Sequence, residues 1–533
     1  MRRLLVLVLA LGMIAAACGD DDAVTTTTGA AATTTTAATG EAYPAEMVDA
    51  YMEGCIPDGG EDLCRCTIEQ YQTRLTFEEF VDYSTTTPDL GSDPLSQEII
   101  EICLRTIDTT GTTTAGGEPS PFATMEDVID ATLLDLDAFW DAEMSEVWDI
   151  DYTTPIVNGP YYVSRGDVPT CGAPMEPAGY QGNAFYCGFE DTVQWDAEGL
   201  MAPLYEQFGD FTVALVLAHE WGHAIQERFG FDDSANPTIV SELQADCLAG
   251  AWTGYVASGE SDILVLEPGD LEEAMSGFIL IGDQLGTVPH GEGAHGLSFD
   301  RLNAFFDGYD LGTARCAEYE TIPRDEIVVS SQIGLDLLAQ GEDVNLPYDQ
   351  TATLLIEGLE AFWAIVYPDV FGGEWVPVAA VVPYDPDGTV PTCGGFEPEV
   401  AEFNAFYCAV EDYVAWDDVN LFPALYTEIG DMAIGLVLSN EWGRAVQTRA
   451  GRPTEGIAAQ LEVDCLSGVW TAALTLNDER IPIVLTAGDL EEGISGLLAL
   501  SATPGIEGEA SAFQRFEAFK TGFLEGITAC GVA

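Results

Sequence analysis

An internal repeat constrains the fold of this 533-residue chain more than any other feature. Four sequence blocks, VPTCG, NAFYC, DCL and GDLEE, begin at positions 168, 183, 246 and 269 and recur in the same order at 390, 404, 464 and 488. Each copy spans about 200 residues, which is enough for one domain with its own core. The repeat therefore predicts two tandem domains of one fold, which we call the first segment (122–320) and the second segment (321–533).

Composition divides the residues that precede the repeat. The stretches 20–40 and 108–121 are rich in Thr, Ala and Gly and lack the large apolar side chains that a core needs. Between them, helical periodicity in residues 44–106 predicts a small helical domain with four cysteines. The predicted order is a signal peptide (1–17), a lipidated cysteine and tether (18–43), the small domain (44–106), a linker (107–121) and the two segments.

The first residues predict export. Arg2 and Arg3 precede an uncharged apolar run that ends at Ala17 and is too short for a membrane-spanning helix. With Cys18 directly after it, the stretch resembles a bacterial lipobox, in which the cysteine is lipidated; an ordinary cleaved secretory peptide is the alternative. We expect an exported protein that is lipid-anchored at the outer face of the cell membrane or periplasmic.

The cysteine count agrees with export. The chain has 13 cysteines, and setting Cys18 aside leaves 12, an even number that suggests six disulfides in an oxidising compartment. The repeated order of cysteines suggests a near pair and a far pair in each segment: Cys171–Cys187, Cys247–Cys316, Cys393–Cys408 and Cys465–Cys530. Three pairings stay open for the four cysteines of the small domain, Cys55, Cys64, Cys66 and Cys103.

The charge balance limits the partners. There are 16 basic and 91 acidic side chains, which give a net charge of −75. A nucleic acid needs a basic surface that this composition does not provide, and an anionic lipid surface would repel the chain. A peptide or protein substrate and a membrane reached through the lipid anchor are the partners that we expect, and the oligomeric state stays open.

Residues 211–230, FTVALVLAHEWGHAIQERFG, predict a helix that is buried in its first half and ends at Gly230. His219 and His223 are four positions apart, so both point from one helix face toward one metal ion, and Glu220 lies beside it as a proton acceptor. The alternative is a buried helix with two satisfied histidines.

A second pair of polar residues follows on a predicted neighbouring helix. Glu242 and Asp246 are also four positions apart. A glutamate with an aspartate one turn later, placed after this histidine motif, resembles the arrangement of gluzincin-type peptidases. That resemblance implies Glu242 as the third zinc ligand and Asp246 as the hydrogen-bond partner of a ligand histidine. A solvated acidic helix face is the alternative.

Taken together, the motifs resemble those of the bacterial neutral zinc metallopeptidase family. The resemblance covers residues 120–320 well and 321–533 in degraded form, with mild departures at Trp221, Ala224 and Leu297. It is carried by these positions: 219–223 with Gln226, 242–247, 281–283, and His295-Gly296 with Ser298 and Arg301. It implies a zincin-like α+β fold that is repeated twice, Zn²⁺ as the cofactor, and peptide hydrolysis.

His295 lies in a glycine-rich stretch, 291–296, which is typical of a loop at a cleft. In peptidases of this type a histidine outside the ligand set often stabilises the oxyanion, so the resemblance implies that role for His295. An exposed loop histidine without a role is the alternative.

The second segment has lost these groups. Alignment of the copies places Asn440, Arg444 and Gln460 at the three ligand positions and Glu509 at the position of His295. We therefore expect one zinc peptidase domain, with Glu220 as the general base, and a second copy that is catalytically inactive. The alternative is a non-catalytic binding or scaffold lipoprotein of the envelope with a structural metal site.

Overall fold

The computed structural model describes residues 67–68, 124–231, 238–282, 295–328, 345–398, 400–486, 488–499, 501 and 509–532. The described residues divide between two compact units: Thr67 and Ile68 lie in one, and those from 124 to 532 form the other. Apart from Thr67 and Ile68, which are helical and buried, the predicted small domain lies outside the described residues. The same holds for the predicted signal peptide, the lipidation site, the tether and the four cysteines at 55, 64, 66 and 103.

The first segment combines long helices with one small sheet. Its first helix begins where the Thr124 side chain accepts a hydrogen bond from Asp127 N, which caps the exposed end of the helix. The helices are α1 (Met125–Trp148), α2 (Ala202–Phe208), α3 (Asp210–Phe229), α4 (Thr238–Ala257), α5 (Asp270–Ile281), α6 (Ser298–Leu311) and α7 (Thr313–Ala317), and a short helix α8 (Arg324–Ile327) follows just beyond residue 320. The strands are β1 (Ile156–Val157), β2 (Ala184–Cys187) and β3 (Thr192–Trp195).

The second segment presents its elements in a closely similar order. Its helices are α9 (Tyr348–Phe371), α10 (Leu421–Glu428), α11 (Asp431–Ala450), α12 (Ile457–Thr475), α13 (Asp489–Ala499) and α14 (Ala512–Glu525). Its strands are β4 (Ala380–Tyr384), β5 (Ala405–Cys408) and β6 (Tyr413–Asp417).

The two sheets have the same topology. In the orders β1–β3–β2 and β4–β6–β5, the last strand in sequence lies in the middle, with a parallel neighbour on one side and an antiparallel neighbour on the other. The antiparallel register also matches, since Ala184 pairs with Trp195 and Ala405 with Trp416. Every residue of β3 and β6 is buried, as expected for a central strand covered by helices. The architecture is thus α+β in both segments.

Four disulfides lie within the segments, and none of the four joins one segment to the other. They are Cys171–Cys187 and Cys247–Cys316 in the first segment, and Cys393–Cys408 and Cys465–Cys530 in the second. These are the pairs that the repeated order of cysteines predicted. Because disulfides persist in oxidising compartments, they indicate an extracellular or periplasmic location. Within the described residues, we find no helix with the length and apolar character needed to cross a bilayer.

Helices α4 and α6 pack closely through two glycines. A Cβ atom on Gly250 would lie 2.0 Å from the carbonyl oxygen of Phe305, and one on Gly308 would lie 1.8 Å from that of Cys247. Any side chain at these positions would force the helices apart. This contact sets the distance between the residues that α4 and α6 direct toward each other, including Asp246 and Arg301.

Candidate metal centre

Helix α3 has the burial that its sequence predicted. Residues 211–222 are all buried, and the helix ends at Gly230, whose φ of 83° is a left-handed conformation that favours glycine. His219 and Glu220 are 7% and 8% exposed, so both polar side chains lie in the interior and need partners there. The predicted helix 211–230 is therefore observed as Asp210–Phe229.

Helix α4 crosses α3 at close range. A Cβ atom on Gly222 would lie 3.0 Å from both the Cα and the carbonyl oxygen of Ala245, so glycine is what permits the approach. The crossing places Glu242 and Asp246, which are one turn apart on α4, against the face of α3 that carries the histidines.

Three ligand-type atoms converge between the two helices. His219 Nε2 lies 3.2 Å from both His223 Nε2 and Glu242 Oε2, and the latter two atoms are 3.5 Å apart. A tetrahedral zinc ion with bonds of about 2.0–2.1 Å holds its ligand atoms roughly 3.3 Å apart. Two imidazole nitrogens and one carboxylate oxygen at this spacing therefore fit zinc, with a fourth position for water or substrate.

Asp246 and Arg301 support His219 from behind. Asp246 Oδ1 lies 2.7 Å from His219 Nδ1, and both oxygens of Asp246 accept hydrogen bonds of 2.8 Å from the Arg301 guanidinium. With the Nδ1 proton donated to Asp246, the Nε2 lone pair of His219 faces the other two ligand atoms. Burial acts to raise the pKa of Asp246, but Arg301 and His219 hold it below its usual value.

Gln226 supports the second histidine in a similar way. Its Oε1 lies 2.8 Å from His223 Nδ1, while its Nε2 donates to the carbonyl of Ser241 at 2.7 Å and to Gln244 Oε1 at 3.0 Å. An amide that donates through nitrogen keeps its oxygen as the acceptor for His223 Nδ1–H, which directs Nε2 toward the ligand cluster.

The electrostatics of the centre favour a cation. Burial by itself lowers the pKa of His219, but Asp246 and Glu242 outweigh it and raise the pKa to about 10. Burial also acts to raise the pKa of Glu242, yet His223 and His219 hold it well below its usual value. A metal ion at this position has to displace protons from the imidazoles, so its affinity increases with pH.

The centre opens into a cavity of about 610 Å³. Strand β2 also lines this cavity, and Tyr186 N of that strand donates to Glu220 Oε2 at 2.9 Å. Glu220 is therefore held between β2 and the ligand cluster. His295 also lines the cavity as an exposed residue, and Gly296 after it has a φ of 103° that glycine adopts without strain. The structure thus brings His219, Glu220, His223, Glu242 and His295 to one cavity, with Asp246 buried behind His219.

The corresponding position in the second segment has a different set of bonds. Asn440 donates through Nδ2 to Ser467 Oγ at 2.9 Å and accepts from Arg515 at 3.1 Å. Arg444 lies 3.4 Å from Glu441, and Arg515 makes two 2.8 Å bonds to Asp464, as Arg301 does to Asp246. The arginine clamp is thus present in both segments, while protein hydrogen bonds replace the ligand cluster.

Carboxylates also cluster at the starts of α3 and α11, where they accept hydrogen bonds from backbone N–H groups of the first turn. Glu273 accepts a hydrogen bond from Phe211 N at 3.1 Å, and Glu492 accepts one from Met432 N at 2.9 Å. Each bond satisfies a backbone N–H that has no partner within its own helix. Two more acids accompany each: Asp210 and Asp270 in the first segment, and Asp431 and Asp489 in the second.

Sequence reasoning assigned no role to Arg301, Gln226 or the backbone N–H of Tyr186. The signal for the first two lay in the repeat, because Arg515 and Gln447 stand at the equivalent positions of a segment that lacks the three ligand-type residues. Comparing the two segments therefore distinguishes residues that serve hydrogen bonding, which both segments have, from residues that serve metal binding, which only the first has. The backbone donor left no signal of its own in the sequence.

Comparison with known proteins finds sequence similarity to one family over the first segment. The family model described as "Putative neutral zinc metallopeptidase" matches residues 105–319. The uncharacterized protein YpfJ of Escherichia coli strain K12 is 33% identical over 168 residues, which cover 27% of this chain and 56% of YpfJ. The uncharacterized protein Rv2575 of Mycobacterium tuberculosis strain H37Rv is 29% identical over 160 residues, which cover 26% of this chain and 54% of Rv2575. The chain thus spans about half the length of these curated relatives, and no solved structure shows a significant match.

The matched range contains the whole ligand cluster, Glu220 and the arginine clamp, and it ends at residue 319, before the second segment begins. Residues 105–319 of this chain thus match the putative neutral zinc metallopeptidase family.

Proposed function

We propose that this chain is a zinc-dependent peptidase whose active site lies in the first segment. The observation that carries the proposal is the convergence of His219, His223 and Glu242 on one wall of a cavity, with Glu220 beside them. These three residues would hold Zn²⁺, which would supply a Lewis acid to activate water and polarise a peptide carbonyl.

Glu220 moves the proton in this proposal. The bond from Tyr186 N fixes its carboxylate at the cavity wall. From there Glu220 takes a proton from the attacking water and delivers it to the leaving amine. His295, which lines the same cavity, stabilises the oxyanion, and Asp246 keeps His219 in the tautomer whose Nε2 is free to bind metal.

Strand β2 favours a peptide as substrate. It lies at the edge of its sheet, and the carbonyl of Asn183 accepts a bond from Asp196 N on the β3 side, while Tyr186 N points to Glu220 on the other. Since backbone groups alternate along a strand, Ala184 and Tyr186 direct theirs toward the cavity. An extended peptide can pair with such an edge next to the metal centre.

We infer that the second segment is a degenerate duplicate without catalytic activity. In support, the two sheets share topology and register, and Asn440, Arg444 and Gln460 stand at the ligand positions. The guanidinium of Arg444 carries a permanent positive charge where a cation would otherwise lie. The full chain is therefore expected to hold one tightly bound zinc ion.

The test uses the full chain and a peptide library. Glu220→Gln is expected to keep its zinc and to lose cleavage by at least about 100-fold, because proton transfer is removed while the ligands stay. His223→Ala is expected to lose both zinc and cleavage, and Glu441→Gln, the matched change in the second segment, is expected to lose neither. Zinc without any cleavage in the wild type would favour a structural metal site in a scaffold protein. Two tightly held zinc ions per chain would refute the degenerate second copy.

We also propose that Cys18 is lipidated and anchors the exported chain at the membrane. The support is the lipobox-like sequence before it together with the disulfides of the folded segments. Replacement by serine, Cys18→Ser, is expected to move the protein from the membrane fraction to the soluble exported fraction. Unchanged membrane association in that variant would argue against the anchor.

A further inference from the structure

The two segments share one hydrophobic core. Helix α6 of the first segment meets helix α14 of the second, and a single cluster of buried residues includes side chains from both. The contact is aromatic: the rings of Phe306 and Phe513 stack with centroids 4.3 Å apart, and Phe299 lies 6.1 Å from Phe516 and 5.1 Å from Phe523. All five phenylalanines are at most 9% exposed.

A core of this kind is more than an incidental contact. Without the second segment, Phe299 and Phe306 would lie in an apolar patch on the surface of the first segment. Soluble monomeric proteins rarely expose contiguous apolar patches beyond about 300–600 Å², and larger ones mark interaction surfaces. A hydrogen bond crosses the contact from the backbone N–H of Phe513 to Glu272 Oε1, at 3.3 Å, and helps to fix how the segments fit together.

The contact has an approximate two-fold relation. Alignment on Arg301 and Arg515 makes Phe299 equivalent to Phe513 and Tyr309 equivalent to Phe523. The ring pair Phe299–Phe523 at 5.1 Å accordingly has its counterpart in Tyr309–Phe513 at 5.0 Å. The segments therefore pair as the two halves of a symmetric dimer would, within one chain.

The pair of residues at the approximate two-fold axis breaks the symmetry. Phe306 and Lys520 occupy equivalent positions and face each other, with Lys520 Nζ 4.7 Å from the centroid of the Phe306 ring. Lys520 is the sole lysine of the chain. Two second segments paired in this way would bring two ammonium groups together in a largely apolar contact, whereas an ammonium against a ring is favourable. Lys520 therefore favours pairing with the first segment over pairing with another second segment.

Helix α6 joins this contact to the metal centre. Arg301 and Phe306 lie on the same helix, and Arg301 clamps Asp246, which bonds His219. Displacement of α6 at the aromatic contact would therefore change the support of a metal ligand.

We propose that the second segment is a dedicated, built-in partner that covers the α5–α6 face of the first segment and thereby holds α6 against the metal centre. Only the zinc readout of the following test rests on the proposed function; the association readout is independent of it. The partner role thus replaces catalysis as the function of the second segment.

The test cleaves the full chain after α8, near the start of the second segment. A protease site inserted within 329–344 allows the chain to be cut after folding, and since none of the four observed disulfides joins the segments, only the non-covalent contact then holds them. In the wild type the halves are expected to co-elute in size exclusion at micromolar concentration with unchanged zinc affinity. Phe513→Asp is expected to abolish co-elution and to weaken zinc binding about tenfold or more, as loss of outer-shell support does.

Phe396→Asp is the matched control, because Phe396 is also in the second segment but is 79% exposed and lies outside the contact. It is expected to behave as the wild type. If Phe513→Asp does not fold, Lys520→Glu provides the second variant, since a carboxylate there would face Asp310 and Asp307 and weaken the association. The proposal is overturned if the wild-type halves separate on cleavage, if the contact variants stay associated, or if separation leaves zinc affinity unchanged. If the intact wild type binds no zinc, the proposed function fails while the association result still stands.

Discussion

The arginine clamp behind the metal centre gives the sharpest test of how the fold supports the site. In Arg301→Met the guanidinium is lost while most of the side-chain length stays. Asp246 is fully buried and accepts two hydrogen bonds of 2.8 Å from Arg301, in addition to the 2.7 Å contact with His219 Nδ1. Removing one partner of a buried ion pair leaves an uncompensated charge and costs about 3–5 kcal/mol. We expect a loss of that size in the free energy of unfolding, measured by chemical denaturation of the full chain in the presence of a chelator.

The loss should depend on pH in a defined direction. Arg301 helps to hold the pKa of Asp246 below its usual value, so the clamp contributes stability above the unfolded pKa of about 4, and this contribution is lost as the pH falls through the folded pKa. The deficit of Arg301→Met relative to wild type should therefore be largest near neutral pH. It should shrink below about pH 4, where Asp246 accepts a proton in the variant.

The second segment supplies the control for this prediction. Arg515 binds Asp464 with the same two 2.8 Å bonds, but Asn440 stands where His219 would be. Arg515→Met is thus expected to lose a similar amount of stability without weakening zinc binding, while Arg301→Met should weaken it about 10–100-fold through His219. Competition with a chelator of known affinity measures the zinc affinity of both variants. A stability loss below about 1 kcal/mol in Arg301→Met, or an equal loss of zinc affinity in the two variants, would refute the reasoning.

Two further predictions concern single side chains. Gln226→Met removes the acceptor 2.8 Å from His223 Nδ1 and should weaken zinc binding about 10–100-fold in the same competition assay. Gln447→Met, which changes the corresponding residue of the second segment, should leave the affinity unchanged, and equal weakening would contradict the role of Gln226. Burial and the nearby Asp210 carboxylate raise the pKa of Asp270 to about 8. Because that value exceeds the unfolded pKa of about 3.9, stability should fall as pH rises from about 4 to 8, and Asp270→Asn should gain stability relative to wild type at pH 8 but not at pH 4. Chemical denaturation at the two pH values checks this, and a difference independent of pH would contradict it.

Local features of the site could be predicted from the sequence because they depend on short-range geometry. An α-helix has 3.6 residues per turn, so the run that ends at Gly230 predicts one helix with His219 and His223 on a single face. The structure confirms that helix as Asp210–Phe229. The repeated order of cysteines likewise predicted the four disulfides observed in the two segments.

The approach of Glu242 to the histidines is a tertiary result. Spacing along α4 places Glu242 and Asp246 on one helix face. Helix periodicity does not decide whether that face turns toward the histidines or toward solvent, and the resemblance to a family supplied that expectation. What brings them within 3.5 Å of the histidines is the packing of Gly222 against Ala245. Arg301 reaches Asp246 across 55 positions of sequence, through the glycine contact of α4 with α6.

The residue pattern predicted two related segments, one with a histidine–glutamate motif and one without. Tertiary packing, in contrast, joins the segments in one core and places Phe306 against Phe513 and Lys520. The physical reason is that burial of an apolar face lowers the free energy whichever surface covers it. A pattern of apolar residues therefore predicts that a face is covered, while shape, close glycine contacts and the placement of charge decide which surface covers it.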